Sequence, residues 1–93
     1  METPIAQATG HNNNIVVVYP DRVELRSGWQ GQKVESLNLR EIAGITISGW
    51  VNCTMTIANN KGRVYQLTRM ALPDARGIEA AIESQKRKAG LYE

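Results

Sequence analysis

Apolar positions along the chain recur at two spacings: short alternating runs from Ile15 to Met70, then a helical stripe beyond Leu72. The first run, Ile15-Val16-Val17-Val18-Tyr19, is apolar on both faces. It ends at Pro20-Asp21, a turn pair in which proline presets φ and aspartate bonds locally. Arg22 to Arg26 alternates, with Val23 and Leu25 on one face and Arg22, Glu24 and Arg26 on the other, the period of a half-buried strand. Ser27 to Gln32 breaks it. Lys33 to Leu39 predicts a third strand, with Leu37 and Leu39 alternating into Ile42, and Ile45-Thr46-Ile47 a fourth, stopped at Ser48-Gly49. Val51 to Ala58 alternates most regularly, with Val51, Cys53, Met55 and Ile57 facing one side and Asn52, Thr54 and Thr56 the other. Asn59-Asn60-Lys61-Gly62 reads as a hairpin loop because Asn and Gly tolerate positive φ. Arg63 to Met70 returns as a sixth strand carrying Val64, Tyr65 and Leu67.

At Leu72-Pro73-Asp74 the period changes. Ile78, Ala81, Ile82 and Ala89 share one helical stripe, while Glu79, Glu83, Lys86 and Arg87 lie elsewhere. Pro73 suits a first turn, Asp74 the positive end of the helix dipole, and Gly90 a stop. Gly77 costs about 1 kcal/mol against alanine inside a helix, which points to close contact with the sheet. Residues 1–14, with Thr3, Pro4, Gln7, Gly10 and His11-Asn12-Asn13-Asn14, offer little to bury and read as a flexible tail. Residues 15–93 then form a single domain, with strands over 15–70 and a helix over about 73–89. Strands joined by hairpins leave edges, and closure into a barrel removes them. The expected fold is therefore mainly β, a small antiparallel β-barrel or sandwich of about six to seven strands with one C-terminal helix plugging an open end.

Composition narrows the function classes. Ninety-three residues make one domain near the lower size limit for an unstapled core. A lone Cys53 forms no internal disulfide, and with His11 it is the only soft metal-ligand type present, so no metal site is expected. The net charge of +2 decides little, since a dedicated nucleic-acid binder shows a concentrated basic footprint that a mild average excess does not establish. The one dense basic run, Lys86-Arg87-Lys88, reads as a solvated face complementing the dipole. No apolar run is long enough to span a bilayer, and Met1-Glu2-Thr3-Pro4 does not open like a signal peptide, so a cytoplasmic location is the default.

Four stretches together resemble the bacterial members of the pleckstrin-homology (PH) superfold. They are Asp21-Arg22-Val23-Glu24-Leu25-Arg26-Ser27-Gly28, the leucine-rich Leu37-Asn38-Leu39-Arg40-Glu41-Ile42-Ala43-Gly44-Ile45, and Asn59-Asn60-Lys61-Gly62 followed later by Pro73-Asp74-Ala75. The similarity covers about residues 15 to 89. It implies a PH-like fold and a non-catalytic role. Phosphoinositide-binding PH domains carry a basic cluster on the first hairpin. The matching place here reads Arg22, Glu24, Arg26, and a carboxylate there repels a polyphosphate and pairs with the arginines. The motif therefore does not support a lipid headgroup as partner. The tryptophan of the eukaryotic C-terminal helix is missing, leaving Ile78 and Ile82 to plug the barrel.

The candidate interaction residues are Trp29, Trp50, Arg22, Arg26, Val16 and Val17. Trp29 and Trp50 each follow a glycine in a loop. Either they anchor a binding surface, or they fold back over the rim of the barrel, a reading favoured by a chain with no Phe to supply core volume. Val16 and Val17 lie on a strand apolar on both faces, whose outer face needs a cover: the helix, the tail or a second subunit. Arg22, Arg26, Lys33, Lys61, Arg63 and Arg69 offer phosphate contacts or, the reading preferred, ordinary solubilising charge partnered by Glu24, Glu35 and Glu41. His11 lies in the polar tail, Cys53 points inward beside Met55, and no phosphate loop, metal motif or nucleophile elbow is present, so no catalytic residue and no cofactor is expected. The expected function is a binding or assembly module recognising a protein partner or itself, as a homo-oligomer. The alternatives are an oligomeric structural protein and a small barrel of Sm or SH3 type that binds nucleic acid or an anionic surface. The long terminal helix argues against the last.

Overall fold

Alternating runs and tight turns fold the chain into seven strands and one helix in this computed structural model, which describes residues 3–10, 14–28 and 32–90. The strands are β1 (Ala6–Thr9), β2 (Ile15–Val18), β3 (Arg22–Ser27), β4 (Lys33–Asn38), β5 (Ile42–Ser48), β6 (Asn52–Asn59) and β7 (Val64–Ala71). A 3-10 turn, Leu39–Glu41, separates β4 from β5, and α1 (Leu72–Lys88) follows β7. All pairings are antiparallel, in a four-stranded sheet β1-β2-β3-β4 and a three-stranded sheet β5-β6-β7.

The expected tail contains a strand. Ala6–Thr9 pairs with β2 from Ala6↔Val18 to Thr9↔Ile15 and buries Ala8. Its sequence, Ala-Gln-Ala-Thr, has no strong strand signal, and its conformation comes from the partner it covers. Nor do the sheets close into a barrel. The 3-10 turn parts β4 from β5, and the Arg63–Glu35 ion pair (3.2 Å) links the β7 and β4 sides through side chains.

One core lies between the sheets and under the helix. Val16, Val18, Val23 and Leu37 come from the first sheet, Met55, Ile57, Leu67 and Met70 from the second, and Ala75, Ile78 and Ile82 from α1. The helical stripe continues to Lys86, which is buried and not on a solvated face as expected. Its alkyl stem covers apolar surface while its Nζ donates to the Ile42 carbonyl at 2.7 Å, tying the end of α1 to the start of β5. Ala89, expected on the buried stripe, is the exposed C-cap residue. Gly77 marks no contact with the sheet, since a Cβ there would meet nothing within 4 Å.

A bulge sets the phase of β7. Cys53 pairs with Met70 and Met55 with Leu67, so Thr54 stands opposite Thr68 and Arg69 together. Simple alternation from Leu67 would turn Arg69 inward and Met70 outward. The extra residue keeps Thr68 and Arg69 exposed and buries Met70, with Arg69 held at φ 54°.

Candidate functional site

The outer face of the first sheet is closed by its own side chains. Glu24 accepts from Arg22 Nε at 3.0 Å and from Arg26 Nη2 at 2.8 Å, so the carboxylate bridges the two arginines as the sequence suggested. Arg26 Nη2 also reaches the Tyr19 hydroxyl at 3.3 Å, and the Arg22 guanidinium lies 4.2 Å over the Tyr19 ring. The bond from Arg26 holds the Glu24 carboxyl below its ordinary range, helped by Arg22 and opposed by partial burial. The same bond raises Arg26 further above its already high value.

Val17 stands between Gln7 of β1 and Glu24 of β3 and is only 3% exposed. Val16 faces the core and is fully buried. Neither valine offers an interaction surface. Val17 alternates with the core-facing Val16 and Val18, and the ion-paired Arg22, Glu24 and Arg26 stand on the neighbouring strand beside it. Arg22 and Arg26 lie on the third strand. The first hairpin, β1 with β2, carries no Lys or Arg from Ala6 to Val18.

Two concavities stand out among the described residues. One, of about 290 Å³, runs beside β7 between Ile15, Leu25, Glu35, Val64 and Tyr65. Glu35 in its wall pairs with Arg63, and partial burial, followed by a hydrogen bond with Glu35, pushes the Tyr65 hydroxyl up from its ordinary value of 10.0. The other, of about 330 Å³, is a groove where the β5–β6 turn meets the first turns of α1, lined by Ile47, Gly49, Trp50, Leu72, Arg76 and Glu79. Arg76 and Glu79 make no ion pair among the described residues.

The turn is built to present Trp50. Gly49 has φ +102°, and a Cβ there would lie 2.8 Å from the Asn52 carbonyl oxygen, so only glycine fits. The Cys53 thiol donates to the Gly49 carbonyl at 3.5 Å and pins the turn from β6. Trp50 is 88% exposed and Val51 81%. Trp50 therefore does not fold back over the rim, and Val51, expected inward with Cys53, lies in the turn before β6 begins. Trp29 and His11 lie outside the described residues. The signal for this site was the pair Gly49-Trp50 between two alternating strands. Arg76 and Glu79 were not legible as its walls, because only the docking of α1 brings them to the turn.

The chain is thus a mainly β protein of two antiparallel sheets and one C-terminal helix, with an exposed tryptophan beside a groove. No protein-family model matches it, and no curated protein is similar to it at a significant level. Among the described residues, no helix is long and apolar enough to cross a membrane, and no group of three His, Cys, Asp or Glu is placed to hold a metal ion.

Proposed function

We propose that the chain is a non-catalytic binding module of PH-like type that recognises a protein partner, or itself, through the turn carrying Trp50. The order of four strands, three strands and a terminal helix supports the PH-like reading. The exposure of Trp50 carries the functional one. Burying a large aromatic together with Val51 gives a partner strongly favourable apolar area, and the glycine turn fixes the backbone that presents the ring. The charged residues around the groove are Arg76 and Glu79, with Asp74 on the same helical turn. That balance does not favour an anionic membrane or nucleic acid. Arg22 and Arg26 are engaged with Glu24, and Arg63 with Glu35, so these arginines do not form an open phosphate site.

The test is quantitative capture of cellular proteins on immobilised chain, comparing the original with Trp50→Ser and with Thr56→Ser on the outer face of the second sheet. Circular dichroism confirms that each variant is folded. Loss of a defined set of proteins with Trp50→Ser alone supports the reading. Equal capture by all three chains refutes it.

A further inference from the structure

Resting on the reading of Trp50 as an anchor, we infer that the groove beside it takes the Trp50 of a second copy, giving a weak twofold dimer in which each ring fills the partner's groove. Three observations carry this. The first is shape: Trp50, 88% exposed, projects from the rim of the open cleft of about 330 Å³ that it helps to line, so a twofold axis at that rim lets each ring enter the partner's cleft. The second is charge. The groove walls carry Arg76 and Glu79, one turn apart on α1 and without ion-pair partners among the described residues. Under a twofold axis, Arg76 of one copy meets Glu79 of the other, and the same pair forms a second time. Groove walls holding one cation and one anion are complementary to themselves, whereas walls of single sign repel their own copy.

The third observation is that other apolar anchors are scarce. Apart from Trp50 and Val51, the large apolar side chains exposed among the described residues are Ile5, Val34 and Val64, none of which lines this groove. The patch is small compared with the roughly 800 Å² per partner of a stable interface, so the dimer is weak, with a Kd on the order of 100 µM.

The experiment is sedimentation of the purified chain from about 10 µM to about 1 mM, bracketing that constant. The expected result is a mass rising from one chain towards two. Arg76→Glu and Glu79→Arg, tested singly, place like charges against each other and weaken association about tenfold. The double swap Arg76→Glu with Glu79→Arg restores it. Trp50→Ser weakens it about tenfold or more. Trp50 and Arg76 are exposed and Glu79 is half-buried, and circular dichroism confirms folding of each variant. A mass of one chain throughout overturns the inference and leaves the capture test of Trp50 standing. A dimer unaffected by Trp50→Ser, or a double swap no better than the single ones, overturns it as well. Equal capture by Trp50→Ser and the original would instead remove the reading beneath it.

Discussion

Arg69 holds a backbone conformation that favours glycine, and replacing it tests the bulge on which the phase of β7 depends. A non-glycine residue in the left-handed region carries roughly 1–2 kcal/mol of steric cost. At φ 54° Arg69 is such a residue, exposed and with no side-chain hydrogen bond or ion pair among the described residues to offset it. Glycine removes that strain but brings about 0.5–1 kcal/mol of extra chain entropy in the unfolded state. The net expectation is that Arg69→Gly gains about 0.5–1 kcal/mol over the original, while Arg69→Ala keeps the strain and gains nothing. In a regular strand the order reverses, with glycine below alanine by about 0.5–1 kcal/mol. Gln66, outward on the same strand and paired in register with Thr56, supplies that control. Thermal unfolding followed by circular dichroism separates the cases, since 1 kcal/mol moves Tm by about 4–8 °C in a domain of this size. Arg69→Gly should melt above Arg69→Ala, and Gln66→Gly below Gln66→Ala. Glycine melting below alanine at both positions would refute the bulge.

Further outcomes follow from the same structure. Glu24→Gln should cost about 1 kcal/mol at neutral pH, because the bridge between Arg22 and Arg26 loses its charge. The folded carboxyl titrates below its ordinary 4.5, so its contribution is complete well above that pH and is lost as pH falls through the lower folded value. Urea unfolding at pH 7 and pH 3 should therefore show the original and Glu24→Gln converging in acid, and an equal gap at both pH values would contradict the bridge. Val17→Asp should abolish the folded circular dichroism signal, since it places a carboxylate at a 3% exposed position; a folded chain of altered mass would restore Val17 as an interface residue. Gly49→Ala should destabilise more than Gly62→Ala, by about 1–3 kcal/mol. Both glycines have positive φ, but only at Gly49 does a Cβ meet backbone, the Asn52 oxygen at 2.8 Å. Equal losses in chemical denaturation would count against the turn geometry that presents Trp50.

Much of the fold was legible where local pattern and tertiary environment agree. Cys53, Met55 and Ile57 alternate in the sequence and are all fully buried, and Ile78 and Ile82 lie on the helical stripe that meets the core. Pattern failed where the environment overrode it. Ala6–Thr9 has little strand character, yet it pairs with the most apolar strand of the chain. Lys86 is buried because its stem is apolar and its amine finds the Ile42 carbonyl, which no hydropathy pattern expresses. The Arg69 bulge breaks alternation by one residue, and it follows from keeping a guanidinium out of the core. At the candidate site, Trp50 could be singled out from its glycine. Its exposure depended on the turn, and the groove beside it on where α1 docks. The cover over Val17 was read as helix, tail or second subunit. Part of that tail, the edge strand β1, pairs with β2, and Val17 is buried between β1 and β3, with the ion-paired Arg22, Glu24 and Arg26 on β3, an arrangement that strand periods alone do not express.

The central claim is that recognition runs through the turn carrying Trp50. The most direct measurement is photo-crosslinking in cells, with a benzophenone amino acid replacing Val51 in one chain and Thr56 in another. Val51 is 81% exposed next to Trp50, whereas Thr56 lies on the outer face of the second sheet away from the groove. Discrete adducts from position 51 that are weak or missing from position 56, and that vanish when Trp50→Ser is added, are the expected result. Adducts of equal yield and identical pattern from both positions would contradict it.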